Sequence, residues 1–143
     1  MINREGFERM HAQTKKLLLV DDEPLVRRSM QKTLRRAGFA VETAGNCIEG
    51  LELFQTTQGS GAPFDLAVLD LGMPGFEGVE QSKAGLELLS RLLTQQPDLP
   101  VVVLTAYDEV NKAKEAVTRG ARAYFVKGRE QGLIELVNDI LGL

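Results

Sequence analysis

Cysteine and histidine each occur once in this chain, basic residues do not outnumber acidic ones, and no apolar run is long. Each shortage closes off a class of function. A single cysteine, Cys47, cannot form an internal disulfide, and its place beside Ile48 and Leu51 predicts a small, partly buried filler in a reducing compartment. Without clustered histidine or cysteine there is no natural donor set for zinc or another soft metal. The only histidine, His11, would need a helical bundle around it to act in phosphotransfer; it sits in a polar stretch and reads as a solvated tail residue. No segment approaches the roughly 20 apolar residues needed to cross a bilayer, and Met1 to Gly6 lacks the apolar core of a secretion signal. A cytoplasmic location is expected, with no membrane partner. With 17 basic and 20 acidic residues, a net charge of -3 and a pI near 5.3, direct nucleic-acid binding is not expected either.

What is present is a regular alternation. A chain of 143 residues, 43% hydrophobic, suits one domain with one continuous core. Residues 1–15 are polar and without clear periodicity, so they are expected to form a flexible N-terminal extension, with the domain itself over 16–143. Strands are predicted at Leu17 to Val20, Phe39 to Thr43, Leu66 to Leu69, Val101 to Leu104 and Ala123 to Val126. Pro24 suits the first turn of a helix that Gly38 can close, and Asn46 is a plausible cap for the next. A third helix centres on Leu86 to Leu93, a fourth runs from near Asp108 to Gly120, and a fifth from about Glu130 to Leu141. Strands such as Leu17-Leu18-Leu19-Val20 and Val101-Val102-Val103-Leu104 are apolar at every position, which fits a sheet covered on both faces. Strict strand and helix alternation with right-handed crossovers then gives an open parallel α/β sheet.

In such a sheet ligands bind beyond the carboxyl ends of the strands, so the residues just after each strand carry the information. Asp21, Asp22 and Glu23 follow the first strand, Asp70 the third, Thr105 the fourth and Lys127 the fifth. Carboxylates brought this close repel one another unless some take up protons or a cation neutralises them. Mg2+, which takes one or two carboxylates plus water and phosphate oxygens, is the cation that fits. A carboxylate such as Asp70 can attack phosphorus to form an acyl phosphate, with Lys127 and Thr105 available to meet phosphoryl oxygens.

From Lys16 to Leu141 the chain resembles the receiver domain of two-component response regulators. The resemblance rests on Leu18-Leu19-Val20-Asp21-Asp22-Glu23, Val68-Leu69-Asp70-Leu71-Gly72-Met73-Pro74, Leu104-Thr105-Ala106 and Tyr124-Phe125-Val126-Lys127. It implies a flavodoxin-like (βα)5 fold, a three-layer sandwich with strand order 2-1-3-4-5. It implies that Asp70 is the phosphoacceptor, that Asp22, Asp70 and the Gly72 carbonyl ligate Mg2+ directly, and that Asp21 acts through water. Thr105 and Tyr124 become the switch pair, rearranging the face formed by the fourth helix, fifth strand and fifth helix. The partners implied are a histidine kinase or histidine phosphotransfer protein, a downstream effector, and a second copy bound through that face. Tyr107, two residues beyond Thr105, is a candidate gate over the acyl phosphate.

Two departures stand out. Gly128 follows Lys127 where receivers usually have proline, and Val79 to Ala84 looks inserted, leaving both Gly78 and Gly85 as candidates for the single glycine that the family uses there. Three rival readings compete. A haloacid-dehalogenase-like phosphatase needs a second aspartate two residues after its nucleophile, where Gly72 stands. A flavodoxin-like cofactor carrier needs a phosphate loop where Asp21-Asp22-Glu23 would repel the phosphate. A degenerate receiver used only for docking is disfavoured by the intact Asp21, Asp22, Asp70, Thr105 and Lys127. Leu143 comes directly after the fifth helix, so no effector domain is expected in this polypeptide, and no enzymatic turnover beyond self-phosphorylation and self-dephosphorylation.

Overall fold

Leucine and valine at every position of Leu17 to Val20 and of Val101 to Leu104 leave those two segments no stable place except the middle of a sheet buried on both sides. The computed structural model has that arrangement. It describes residues 14–73, 76, 81–128 and 130–143, with the backbone alone for 81 and 82. His11 and the rest of the extension through residue 13 lie outside the described residues, as do Pro74, Gly78, Val79 and Glu80.

The strands are β1 (Lys16–Val20), β2 (Ala40–Ala44), β3 (Leu66–Asp70), β4 (Val101–Thr105) and β5 (Ala123–Val126). They form one parallel sheet in the order β2-β1-β3-β4-β5. The helices are α1 (Pro24–Arg36), α2 (Cys47–Gly59), α3 (Gln81–Gln95), α4 (Val110–Thr118) and α5 (Glu130–Leu141), with a 3-10 turn at Tyr107–Glu109 leading into α4. Strand β2 lies one residue later than the pattern suggests. Strands β3 and β4 each run one residue further, so Asp70 and Thr105 end their strands rather than follow them.

Successive strand residues point to opposite faces. Leu17, Leu19, Leu66, Val68, Val102 and Leu104 meet Met30 and Leu34 of α1 and Leu133 and Val137 of α5. Leu18, Val20, Leu69, Val101 and Val103 instead meet Phe54 of α2, Leu88 and Leu92 of α3, and Ala113 and Ala116 of α4. Local signals set the helix ends. Pro24 sits in the first turn of α1, and the Asn46 side chain accepts a hydrogen bond from the Glu49 N–H at 2.9 Å to cap α2.

Helix α3 starts at Gln81, so residues 81–84 of the apparent insertion lengthen the helix. Gly85 falls inside it, at a close approach that leaves no room for a side chain: a Cβ there would lie 2.7 Å from the Leu71 Cα and 3.0 Å from the Asp70 carbonyl oxygen. Among the described residues no helix is long and apolar enough to cross a membrane.

Candidate functional site

The chain leaves β1 for the sheet edge at β2 and returns to β3, so β1 and β3 flank the point where strand order reverses. Asp21, just past β1, is fully buried and its N–H donates to the Ala44 carbonyl at 3.1 Å. Its Oδ1 accepts from the Glu23 N–H at 2.9 Å, a tight turn that delivers the chain into α1 at Pro24. Arg27, one turn into α1, secures this corner by donating from Nη1 to the Asp21 carbonyl at 2.7 Å.

Asp70 is buried at the end of β3. Its Oδ1 accepts from the Gly72 N–H at 3.2 Å and its Oδ2 from Lys127 Nζ at 2.9 Å. Lys127 arrives from β5, where its N–H donates to the Thr105 carbonyl at 3.0 Å. The same Nζ lies 3.2 Å from Glu23 Oε1 and 3.3 Å from Asp21 Oδ2. One ammonium thus faces three carboxylates. One oxygen from each of Asp21, Asp22, Glu23 and Asp70 lies within 4.8 Å of the others.

Burial pushes Asp21 above the usual carboxylate range, opposed by the Glu23 N–H and reinforced by the charge of Asp70. Asp22 is raised as well, by burial first and then by Asp70. Burial alone would lower Lys127, but its hydrogen bond to Asp70 and the charges of Asp70 and Asp21 outweigh that and hold it above its ordinary value. The cluster therefore carries more negative charge than one lysine offsets. Asp21 Oδ2 shows the deficit most directly: it is buried and accepts no hydrogen bond among the described residues, although Lys127 is close. All-oxygen donors with such a buried atom suit a hard cation of the Mg2+ type, so the residues fit that ion.

Thr105 is buried and donates its hydroxyl to the Ala106 carbonyl at 3.1 Å. Tyr124, three residues before Lys127, is 37% exposed on β5. Tyr107 is 87% exposed and borders a cavity of about 510 Å³ with Phe125, Val126 and Lys127. Cys47 is fully buried, deeper than its sequence neighbours suggest, and its Sγ lies 3.6 Å from the Ala84 carbonyl. Burial, then Asp70, push its thiol up to about 11, so it stays protonated at neutral pH. The structure thus gathers Asp21, Asp22, Asp70 and Lys127 into one contact network and sets Thr105 beside it through backbone bonding. Two members had no role assigned to them from sequence. Glu23 stood in the acidic triplet and is a partner of Lys127, while Arg27 gave no signal beyond lying one turn after it.

An open parallel sheet of order 2-1-3-4-5 with an acidic cluster at its switch point defines a flavodoxin-like domain of the CheY-like receiver type. The response regulator receiver domain family model matches residues 17–138, and the chain belongs to that family. Over 112 residues it is 34% identical to the response regulator MprA of Mycobacterium sp. (strain KMS), covering 78% of this chain and 44% of that protein. Over 129 residues it is 33% identical to the response regulator protein PilR of Pseudomonas aeruginosa, covering 90% of this chain and 26% of that protein. The chain spans less than half the length of these relatives. Among solved structures, a CheY-like receiver domain protein from Methanospirillum hungatei JF-1 superposes with a TM-score of 0.77 at 26% identity, covering 91% of this chain and 95% of that one. Vibrio cholerae chemotaxis protein CheY4 gives 0.73 at 27% identity, covering 90% and 99%.

Proposed function

We propose that residues 16–143 are a cytoplasmic phosphorelay receiver, preceded by an extension over 1–15, that accepts a phosphoryl group on Asp70 from a histidine kinase, a histidine phosphotransfer protein or a small phosphodonor. The observation that carries this reading is the pairing of Asp70 Oδ2 with Lys127 Nζ at 2.9 Å inside a cluster of carboxylates 4.8 Å across. Asp22, Asp70 and the Gly72 carbonyl would hold Mg2+ directly and Asp21 through water; the bound ion would supply the positive charge that offsets the incoming phosphoryl group.

The chain's own residues do the rest. Asp70 attacks phosphorus, the bond from phosphorus to the donor breaks, and the donor leaves with that electron pair. Lys127 Nζ shifts its hydrogen bond from Asp70 Oδ2 to a phosphoryl oxygen without changing charge. The Thr105 hydroxyl gives up the Ala106 carbonyl and donates to another phosphoryl oxygen. The space that it leaves admits Tyr124, whose partial exposure suits a ring that has not yet turned inward. The α4–β5–α5 face then has two forms, and an effector that prefers one of them reads the phosphoryl group. Tyr107, exposed beside the cavity that Lys127 also borders, would be the gate that slows water reaching the acyl phosphate. No turnover is expected beyond self-phosphorylation and self-dephosphorylation.

Incubation with Mg2+ and acetyl phosphate tests this reading. The expected result is a mass gain of one phosphate, lost in Asp70→Asn and on removal of Mg2+. Steady phosphate release without a labelled protein would support a phosphatase instead.

A further inference from the structure

Helix α1 carries five basic residues and no acidic one, whereas α5 carries three acidic residues and no basic one. These two helices lie side by side over the same face of the sheet. Of the α1 cations, Arg27 and Arg35 donate to the Asp21 and Val41 carbonyls. Arg28, Lys32 and Arg36 are exposed at four-residue spacing, one stripe along the outer side of α1. Glu135 and Asp139 are exposed at the same spacing on α5. None of these five forms an ion pair among the described residues. Where the last turn of α1 meets the first turns of α5 lies a groove of about 430 Å³ bordered by Thr33, Arg36, Ala37, Gln131 and Ile134.

The stripes are neighbours without direct ion pairs among the described residues, so both stay open to a charged partner. A polyanion would match α1 and be repelled by α5. A second copy of this chain matches both. Rotation by half a turn about an axis parallel to the two helices and between them lays the basic helix of each copy over the acidic helix of the other, twice over; the perpendicular axis would stack like on like. Such a contact is self-complementary and closes at two copies. We propose that the α1–α5 face joins two copies of this chain in a charge-paired dimer. This dimer is distinct from one through α4–β5–α5 and does not depend on phosphorylation. Exposed pairs are individually weak and screened by salt, so the dimer is weak and salt-sensitive.

Sedimentation velocity on the full chain tests the proposal. In about 50 mM salt the wild type should associate, and about 500 mM salt should weaken it roughly tenfold. The double variants Arg28→Glu/Lys32→Glu and Glu135→Lys/Asp139→Lys should each be monomeric, because each gives the two exposed stripes the same net sign. Mixed in equal amounts they should associate with each other, which neither an unfolded variant nor a dimer through another face can produce. Where a double variant loses its far-ultraviolet dichroism, the neutral pair Lys32→Gln and Glu135→Gln takes its place, each expected to weaken association. A monomeric wild type, a dimer indifferent to all these changes, or a mixture of folded variants that stays monomeric overturns the proposal.

Discussion

Asp21 is buried with one carboxylate oxygen held by the Glu23 N–H and the other beside Lys127, without a hydrogen bond among the described residues. Its raised pKa means that ionisation costs the folded chain stability: the contribution of the neutral acid is complete below 3.8 and is lost as pH rises through the raised value. Asp21→Asn keeps the shape and removes the charge. Without Mg2+ at pH 7 the variant should be more stable than wild type by about 1–3 kcal/mol in urea unfolding, the gap closing as pH falls toward 3.8. Its Mg2+ affinity should fall about tenfold. An unchanged or lowered stability at pH 7 would mean that this charge is already neutralised. Lys127 works in the opposite direction. Its contribution is complete below 10.5 and is lost only as pH rises through its higher folded value, so it is fully charged and engaged at neutral pH. Lys127→Met should destabilise the metal-free domain by about 1–3 kcal/mol, less than for a fully buried pair because the lysine is partly exposed. It should also tighten Mg2+ binding, since ion and ammonium compete for Asp70 and Asp21; isothermal titration that finds weaker binding would refute this competition.

At the scale of elements, α3 presses on the strand that carries Asp70. The missing side chain of Gly85 lets the helix approach the Asp70–Leu71 backbone, where a Cβ would meet Leu71 Cα at 2.7 Å. Gly85→Ala should therefore cost about 1–3 kcal/mol in urea unfolding and slow phosphorylation by acetyl phosphate, because backbone rather than a flexible side chain must move. Gly59→Ala at the end of α2 meets nothing within 4 Å and should stay within about 0.5 kcal/mol of wild type. Equal costs at the two positions would show that the close approach is not what matters. The element pattern was largely legible in the sequence, because runs such as Val101-Val102-Val103 admit only a doubly covered strand and Asn46 marks a helix start with its own side chain. The start of α3 was not, since Gln81 to Ala84 carries no apolar periodicity and is helical as an extension of the turns that follow it. Nor could residue order reveal the close approach at Gly85, because that depends on a distance across the fold. The loop after Lys127 shows the same limit. Gly128 adopts φ of 111°, which proline cannot, so this loop takes a different path from one built on proline.

At the scale of the molecule, parallel strands deliver their carboxyl ends to one edge, and that alone brings Asp21, Asp22, Asp70, Thr105 and Lys127 together. The convergence was readable from spacing because topology does the gathering. Which atoms touch was not. Lys127 engages Glu23 as well as Asp70, and the Thr105 hydroxyl is turned to its neighbour's carbonyl. The same limit hid the opposed charges of α1 and α5, which become a surface only once the two helices share a face. The central claim is that Asp70 takes the phosphoryl group. Borohydride reduction of the protein after reaction with Mg2+ and acetyl phosphate, followed by peptide mass mapping, reads this directly, because an acyl phosphate is reduced to an alcohol where a free carboxylate is not. Conversion of residue 70 alone is the predicted result; an unreduced residue 70, or reduction at Asp21 or Asp22 in its place, would contradict it.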